Sequence, residues 1–386
     1  MFKIKVTCEE TSSISPKCTA RIGELKTGHG TVQTPAFMPV ATKGYVKTVT
    51  PIELIEMGTE VLIANSFLLY LRPGLEVIND AGGLHRFMNW SKAIFTDSGG
   101  FQMIRPDFHA KVDSQGITFR SPFDGTKHLF TPEKCLEVQV GLGVDVAMML
   151  DHCPAYGSEP EQIKSATERT TEWARRTVEH LSQMNEQYTG KLPQVFGIAQ
   201  GGLDAGMREW SAKTITELDL SGFAIGGLSI GEPKSVMYEI LKHQVPIFPK
   251  DRPRYLMGVG SPEDILESIS LGVDIFDSVF PTRNARHGTV HTSTGNININ
   301  RAPYAKQFRL LDEGCQCATC RAGFTRAYIN HLLRNYSILG MRLATIHNLY
   351  FIQNLLTTAR VRLKEGVFTE FKREFLSRFK NSNNEI

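Results

Sequence analysis

The sequence contains no run of about 18 apolar residues, the length that a membrane-spanning helix needs, so a membrane protein is excluded. The N-terminal residues, MFKIKVTCEETSS, include no continuous apolar stretch and no small-residue cleavage site, so they do not predict a signal peptide. Internal repeats and low-complexity tracts are also missing. The 386 residues are 41% hydrophobic and 22% charged, which is typical of a globular protein. We therefore expect a cytoplasmic protein.

Cysteine is too scarce and too unevenly placed for a disulfide framework, because there are seven in all, an odd number. Cys315, Cys317 and Cys320 lie within six residues, and His347 follows Cys320 after 27 positions. Three thiolates and one imidazole make a closed tetrahedral zinc site, which stabilises a fold and leaves no position for catalysis. His331 remains an alternative fourth ligand. The spacing predicts one structural zinc ion.

Acidic residues are almost missing from one long segment. Between Ser278 and Lys364 there are twelve Lys or Arg residues and only two acidic ones, a local net charge of +10 in a chain of net charge +3. Such a charge distribution indicates a polyanionic partner, most simply a nucleic acid. The stretch from Ser278 to Leu311 has no acidic residue and holds Arg283, Arg286, His287, Arg301, Lys306 and Arg309.

Eight short apolar runs recur along the chain, and several are separated by helical patterns. Near-continuous apolar runs are typical of strands that are buried on both faces of a parallel sheet. Eight such strands predict an α/β protein with a (β/α)8 TIM barrel and an inserted or C-terminal zinc-binding subdomain. The runs cover residues 34–42, 61–67, 93–99, 145–153, 194–200, 222–229, 253–260 and 274–282.

Three regions follow from this pattern. We expect residues 1–33 to pack on the barrel as an N-terminal segment, 34–300 to form the barrel, and 301–386 to form the zinc-binding subdomain and C-terminal helices. Two helices are predicted by Thr or Ser before Pro and acidic residues, in TPIELIEMG and SPEDILESISLG. A third is predicted from Ser158 to about Tyr188. The segment ITFRSPFDGTKHLF predicts an inserted hairpin around its Asp-Gly turn.

Polar residues end several of these runs, at the barrel face where active sites lie. They are Asn65, Asp97, Ser98, Asp151, Gln200, Gly227 and Asp277. Asp97 alone could cap a turn, and Asp277 could pair with Arg283 or Arg286. Two carboxylates that converge on a sugar favour a retaining glycosyl transfer. Asp151 and Gln200 suit a base's Watson–Crick edge, and Phe101 offers a stacking face, although each could instead serve the core.

Seven motifs in order resemble tRNA-guanine transglycosylase, from about Thr34 to Leu355. They are TDSGGFQ, MMLDHCPAY, FGIAQGG, GGLSIGE, YLMGVGSPEDILESI, FDSVFPTRNARHG and CQCATC with the later His347. The resemblance implies an enzyme of queuosine biosynthesis that replaces guanine at the wobble position of GUN tRNAs (Asp, Asn, His, Tyr) with a 7-deazaguanine. It also implies a zinc-containing TIM barrel that works as a homodimer without ATP or a redox cofactor.

The resemblance also implies the role of each matching residue. Asp277 would be the nucleophile at the ribose C1′, and Asp97 the general acid and base. The base pocket would comprise Ser98, Phe101, Asp151, Gln200, Gly227, Leu228 and Met257. The RNA would contact Gly258, Val259, Gly260, Thr282, Arg283 and Arg286, and the zinc ligands would be Cys315, Cys317, Cys320 and His347.

The departures from the family pattern concern the incoming base. Leu68 stands where the family has a pocket-side His, and His152 replaces an acidic neighbour of Asp151. Glu232 would suit a cationic aminomethyl substituent, and Ile230 keeps the bulk of the bacterial Val. We therefore expect 7-aminomethyl-7-deazaguanine as substrate, with queuine as the alternative that Ser229 would fit.

Three other classes are considered. A glycoside hydrolase also uses paired carboxylates, but the zinc cluster and the basic segment argue against it. A non-catalytic RNA-binding subunit would not need both Asp97 and Asp277. An archaeal-type enzyme would carry additional C-terminal RNA-binding domains, for which the chain ends too soon after the zinc region.

Overall fold

The computed structural model describes residues 1–8, 18–103 and 108–379, without the side chains of Phe101 and Gln102. The strands are β1 Phe2–Thr7, β2 Arg21–Thr27, β3 Gly30–Thr34, β4 Ala36–Pro39, β5 Val61–Asn65, β6 Ala93–Asp97, β7 Lys111–Val112, β8 Ile117–Arg120, β9 Lys127–Phe130, β10 Val146–Met148, β11 Gln194–Ala199, β12 Gly222–Ile225, β13 Arg254–Leu256, β14 Ile275–Ser278, β15 Thr289–Thr292 and β16 Gly295–Asn298.

The helices alternate with the central strands. They are α1 Pro51–Glu56, α2 Ser66–Leu71, α3 Leu75–Asp80, α4 Leu84–Met88, α5 Gly100–Met103, α6 Pro132–Leu142, α7 Pro160–Gln187, α8 Ala205–Thr216, α9 Lys234–Gln244, α10 Pro262–Ser270, α11 Phe280–Arg286, α12 Ala318–Arg321, α13 Arg326–Arg334, α14 Ile338–Lys364 and α15 Phe368–Phe379. Across the ranges that the structure describes, no helix combines the length and the hydropathy needed to cross a membrane.

Eight parallel strands form the centre of the molecule, in the order β4-β14-β13-β12-β11-β10-β6-β5. A parallel bridge between Val40 and Ile63 joins the two ends of this order. There the N–H of Ala41 donates to the carbonyl of Ile63 at 2.7 Å, so the sheet closes into a barrel. The eight apolar runs are these eight strands, and the predicted TIM-barrel fold is confirmed.

Helix starts follow the signals in the sequence. The Thr50 hydroxyl accepts from the N–H of Glu53 at 3.3 Å, and the Glu53 carboxylate accepts from the N–H of Thr50 at 2.8 Å. Ser261 caps α10 by accepting from the N–H of Asp264 at 3.3 Å. These bonds satisfy N–H groups that have no partner within their own helix. The long predicted helix is α7, which spans Pro160–Gln187.

The hairpin that the Asp-Gly turn predicts is also present. Strands β8 and β9 pair antiparallel, with Ile117 opposite Phe130 and Arg120 opposite Lys127. A third short strand, β7, extends this sheet and was not expected from the sequence. Nor was the antiparallel pair β15 and β16, which lies in the basic segment.

The N-terminal strands form a three-stranded antiparallel sheet in the order β1-β2-β3, for which the sequence predicted no secondary structure. One link to the barrel is a buried ion pair in which the Arg21 guanidinium donates to both oxygens of Asp274, at 2.9 and 2.6 Å. The same guanidinium also donates to the carbonyls of Lys250 and Arg252. Since both charges are buried, each depends on the other for compensation.

Asp145 provides a second link, at the N-terminal end of β10. Its carboxylate lies 3.0 Å from the imidazole of His29, in the β2–β3 turn, and 3.1 Å from that of His85. It also accepts from the N–H of Ile94 at 3.0 Å. Burial alone would raise the pKa of Asp145, but these hydrogen bonds lower it to about 2. The carboxylate therefore stays ionised in the folded protein.

Two buried clusters share helix α14. The larger one fills the barrel and includes Leu349 and Ile352, whereas the smaller one runs from Ala285 to Ala344 and contains Cys317 and Cys320. Because one helix contributes to both, the two cores are held against each other by continuous backbone. The boundaries at residues 33 and 300 stay predictions.

We expect Arg21→Met to lower the free energy of unfolding by about 3 kcal/mol or more, because it leaves the buried Asp274 carboxylate without its cation. Chemical denaturation followed by circular dichroism would measure this. Lys213→Met is the matched control, since Lys213 pairs with Glu209 on the surface and should change stability by less than about 1 kcal/mol. Equal midpoints for Arg21→Met and the native chain would contradict the expectation.

Candidate active site and metal centre

A cavity of about 1000 Å³ lies at the C-terminal ends of the barrel strands. In barrels of this kind the strand ends and the loops after them form the active site. Asn65, a strand-end candidate, lines it, together with twelve residues to which the family resemblance assigns a role: Asp97, Ser98, Asp151, Gln200, Gly227, Leu228, Met257, Gly258, Asp277, Thr282, Arg283 and Arg286.

Two selected residues do not line the cavity, and a third has a side chain that the structure does not describe. Val259 is 1% exposed and packs in the barrel core, and Gly260 lies against Ser278; neither is among the described residues that line the cavity. The side chain of Phe101 lies outside the described part of the chain. Its stacking role stays a prediction.

Asp277 lies near the end of β14 and is half-buried in the cavity wall. Its Oδ1 accepts from the hydroxyl of Tyr255 at 2.6 Å and from the N–H of Gly258 at 2.8 Å. Burial raises the pKa of Asp277 above its usual range, while these two bonds oppose the rise. Both of these bonds are accepted by Oδ1, so they fix the orientation of the carboxylate.

Tyr255 was missed by the sequence reasoning because it lies within an apolar run. Burial and the neighbouring Asp277 raise the pKa of this Tyr well above its usual range, so the phenol keeps its proton and stays a donor. A polar aromatic residue inside a strand that ends at the cavity is the signal that could have identified it.

Asp97 ends β6 and lies opposite Asn65 of β5 in the parallel register. The Ser66 hydroxyl donates to its main-chain carbonyl at 2.7 Å. Two glycines follow Ser98, and each is required for its own reason. Gly99 has φ +81°, which favours glycine, and a Cβ on Gly100 would collide with the main chain of Asp151. They let the loop after β6 approach the end of β10.

Asp151 forms a polar group with Ser98 and Gln200, at one side of the cavity. Its Oδ2 accepts from the Gln200 side-chain amide at 2.7 Å and its Oδ1 from the Ser98 hydroxyl at 3.3 Å. Burial raises the pKa of Asp151 to about 6, against the effect of these bonds. The group therefore offers a buried carboxylate that is mostly ionised at pH 7 and that further N–H donors would stabilise.

The side-chain oxygen of Gln200, Oε1, is buried without a hydrogen-bond partner among the described residues. Gly227 lies against it, with φ +68°, and a Cβ at this position would be 2.5 Å from Oε1 of Gln200. Glycine is needed here for both reasons. An unpaired buried acceptor is costly unless a ligand supplies the donor.

Arg208 holds the loop around Gly227 in place, although no sequence pattern indicated this role. Its guanidinium donates to the carbonyls of Gly226, at 2.7 Å, and Gly227, at 3.1 Å, and also to that of Gly202. Burial lowers the pKa of Arg208 to about 10, so it stays charged near neutral pH. A lone Arg on an otherwise ordinary helix carries no distinctive pattern.

The family departures fall in different places. Leu68 lines the cavity, as expected for a substitution of a pocket residue. His152 does not line it: its Nδ1 lies 2.8 Å from the Arg169 guanidinium on α7. Burial and this cation lower the pKa of His152 to about 4, so it is a neutral acceptor near pH 7.

Glu232 is engaged by its own loop. Its carboxylate accepts from the N–H groups of Ser229 and Ile230, the latter at 3.0 Å. Ser229 and Ile230 line the cavity, whereas Glu232 is not among the described lining residues. In this arrangement the carboxylate shapes the loop and is not presented to a ligand in the cavity.

The four predicted metal ligands come together outside the barrel. Nδ1 of His347 lies 3.6, 3.4 and 3.4 Å from the sulfurs of Cys315, Cys317 and Cys320, and all four donor atoms lie within 4.8 Å of one another. Nε2 of His347 lies 2.7 Å from the carbonyl of His291, which assigns the proton to that nitrogen and leaves Nδ1 free to bind a metal.

His331, the alternative ligand, is exposed on α13 and does not belong to this cluster. The set of three thiols and one imidazole suits a closed tetrahedral site. Such a cluster can bind a metal ion and would join α12, the loop before it and α14.

Comparisons with known proteins agree with the sequence motifs. The family model for queuine tRNA-ribosyltransferase matches residues 17–381. A queuine tRNA-ribosyltransferase of Pelotomaculum thermopropionicum is 49% identical over 360 residues, 93% of this chain and 95% of its own length. Relatives of the same name from Desulforamulus reducens and Thermoanaerobacter sp. (strain X514) are 48% and 47% identical over 93% and 94% of the chain, and each is covered over 95% of its length.

We expect Cys320→Ser to reduce bound metal from about one ion per chain to a small fraction, and to lower the Tm, because metal binding contributes to folding. Elemental analysis and thermal denaturation would measure both. His331→Ala should retain the metal, since His331 lies outside the cluster. Full metal in Cys320→Ser, or its loss in His331→Ala, would contradict this ligand set.

Proposed function

Because the chain belongs to the queuine tRNA-ribosyltransferase family, we propose that it replaces guanine at the wobble position of GUN tRNAs with a 7-deazaguanine. The family as a whole modifies guanine in tRNA, within the queuosine pathway. The observation that carries the finer proposal is the cavity in which Asp97 and Asp277 meet the Asp151 group.

Asp277 is the nucleophile of the first step. One of its oxygens bonds to the ribose C1′ while the C1′–N9 bond of guanine breaks, and the electron pair stays on N9. Protonated Asp97 gives its proton to the departing guanine. Tyr255 and the N–H of Gly258 orient the Asp277 carboxylate and hold part of its charge on Oδ1, at 2.6 and 2.8 Å.

The second step reverses the first with a new base. Asp97, now ionised, takes the proton from N9 of the incoming 7-deazaguanine. This N9 then attacks C1′ while the ester bond to Asp277 breaks. Two inversions restore the original configuration. Atoms and charge balance without ATP or a redox cofactor, because one glycosidic bond replaces another.

The Asp151 group selects guanine-like bases. Its carboxylate accepts the N–H donors of the base's Watson–Crick edge, while Gln200 and Ser98 hold it in position. The unpaired oxygen of Gln200 and the main chain at Gly227 and Leu228 face the same cavity, and Met257 adds an apolar wall.

The RNA is bound beside the nucleophile. Thr282, Arg283 and Arg286 lie on α11, directly after β14, where cations meet the phosphates next to the flipped nucleotide. Gly258, which lines the cavity, adds a main-chain contact. We expect two chains to assemble as a homodimer, as in the family that the motifs resemble.

Zinc is the metal that best fits the cluster. Three thiolates and the Nδ1 of His347 match its preferred ligands and geometry. With four protein ligands it has no open position, so its role is to hold α12 and α14 together next to the RNA-binding helix.

The incoming base that fits best is 7-aminomethyl-7-deazaguanine. Ile230 keeps a bulky side chain at the cavity wall, which favours the smaller substituent. Glu232 supports the position of Ile230 and not the cationic substituent directly, since its carboxylate accepts from the N–H groups of Ser229 and Ile230. Queuine is the alternative, because Leu68 removes a polar residue from the wall and Ser229 fits the eukaryotic pattern.

We expect Asp277→Asn to lower guanine exchange by about 10³-fold or more while tRNA binding is retained, because the amide cannot form the covalent intermediate. Release of radiolabelled guanine from the wobble position, and an RNA–protein adduct on denaturing gels, would measure this. Asp219→Asn, at an exposed carboxylate away from the cavity, should behave as the native chain. A native chain that binds tRNA and releases no guanine would instead indicate a non-catalytic RNA-binding subunit.

We expect the aminomethyl base to release guanine at a higher kcat/KM than queuine. The same release assay with each base in excess would measure the ratio. Ile230→Gly should shift the ratio towards queuine by about tenfold, since it removes the bulk that opposes the larger substituent. Release with queuine alone would mark a salvage enzyme and overturn the preference.

A further inference from the structure

An aromatic ring is held at the cavity edge by the turn of the inserted hairpin. Phe123 lies between β8 and β9, is 42% exposed and lines the cavity together with Pro122. The turn is braced by hydrogen bonds from the N–H of Ser121 to the carbonyl of Thr126, at 2.8 Å, and from that of Gly125 to the carbonyl of Ser121, at 2.9 Å. The ring is therefore presented on a fixed support.

Two cations flank this ring. Nζ of Lys43 lies 5.9 Å from its centroid and Cζ of Arg72 lies 5.6 Å from it, within the range of a cation–π interaction. Tyr45, 55% exposed, and Lys47 line the same side of the cavity. We call Lys43, Tyr45, Lys47, Arg72 and Phe123 the basic-aromatic rim.

The rim continues around the barrel mouth from α11. Helix α11 follows β14, the loop of Lys43 and Lys47 follows β4, Arg72 ends α2 after β5, and the hairpin of Phe123 follows β6. These four strands are neighbours in the closed sheet. Asp277 lies on the first of them and Asp97 on the last, so cations border the whole arc between the two carboxylates.

A flipped nucleotide has a neighbour on each side, and both must be held while the base is in the pocket. Thr282, Arg283 and Arg286 all belong to α11 and cover one side only. We infer that the basic-aromatic rim binds the unpaired nucleotides on the other side of the target, with a base stacked on Phe123 and phosphates at Lys43, Lys47 and Arg72. The inference rests on the proposed function.

Single-stranded RNA is the partner that this chemistry fits. Exposed rings stack on unpaired bases of any sequence, and neighbouring Lys and Arg neutralise the backbone. Asp124, the acidic residue at the same turn, is engaged locally, because its carboxylate accepts from the Thr126 hydroxyl at 2.7 Å and from the Thr126 N–H at 3.1 Å. Its charge therefore points into the turn.

The test measures binding of an anticodon stem-loop by fluorescence anisotropy, and guanine exchange with the same RNA. Phe123→Ala should weaken stem-loop binding by about tenfold, whereas Phe123→Tyr, which keeps a ring, should stay near the native value. Lys43→Gln should reduce the dependence of log Kd on log salt by about one unit. In guanine exchange, the loss should appear as a higher KM for the stem-loop.

Leu129→Ala is the matched control. Leu129 lies on the same hairpin and is 45% exposed, but it is not among the described residues that line the cavity, so stem-loop binding should be unchanged. Native affinity in Phe123→Ala would overturn the inference, as would an equal loss of binding to an RNA duplex without a loop. If the native chain exchanges no guanine, the proposed function fails, but the ranking of stem-loop affinities still decides whether the rim binds unpaired RNA.

Discussion

Closure of the barrel between β4 and β5 is the constraint on which the rest of the structure depends. The bond from the N–H of Ala41 to the carbonyl of Ile63 joins the ends of the eight-stranded order. Because all eight strands are parallel, their C-terminal ends then meet at one mouth. Asp277 and Asp97, 180 positions apart in the chain, are brought to one cavity by that closure and not by any local interaction.

Several carboxylates lie together in the cavity, and hydrogen bonds offset the free-energy cost of burying them. Burial raises the pKa of Asp151 and of Asp277, while Gln200, Ser98, Tyr255 and the N–H of Gly258 donate to the ionised forms. Each carboxylate keeps capacity for a ligand, because its protein donors leave part of it unused. This balance suits an exchange reaction, in which one base leaves and another of nearly the same shape takes its place.

The Cys315–His347 cluster and the proposed RNA-binding helix are linked through α14 and α11. His347 lies on α14, and Asn348, the next residue, donates to the carbonyl of Pro281 at 3.1 Å on α11, the helix that carries Arg283 and Arg286. The N–H of His291 donates to Oδ1 of Asn348 at 3.0 Å, and the carbonyl of His291 lies beside Nε2 of His347. A metal at the cluster would therefore fix the position of the basic helix next to Asp277.

The amino-acid sequence by itself determined the eight strands, several helix starts, the Cys-rich cluster and the motifs of the family, because each is encoded by local spacing or by residue type. Six of the twelve site residues that line the cavity, among them Asp97, Asp151 and Asp277, follow from the rule that residues ending parallel strands meet at the same face, and the other six follow from the family motifs. Only the tertiary structure decided that His347 and not His331 completes the cluster, since both follow the cysteines and only folding brings one near them. It also shows that Val259 lies in the core and that His152 contacts Arg169. The roles of Tyr255 beside Asp277, of Arg208 at the loop around Gly227 and of the rim around Phe123 likewise come from the tertiary structure. Most of those contacts join residues that are far apart in the chain, and no local pattern in the sequence predicts which of these residues will lie together.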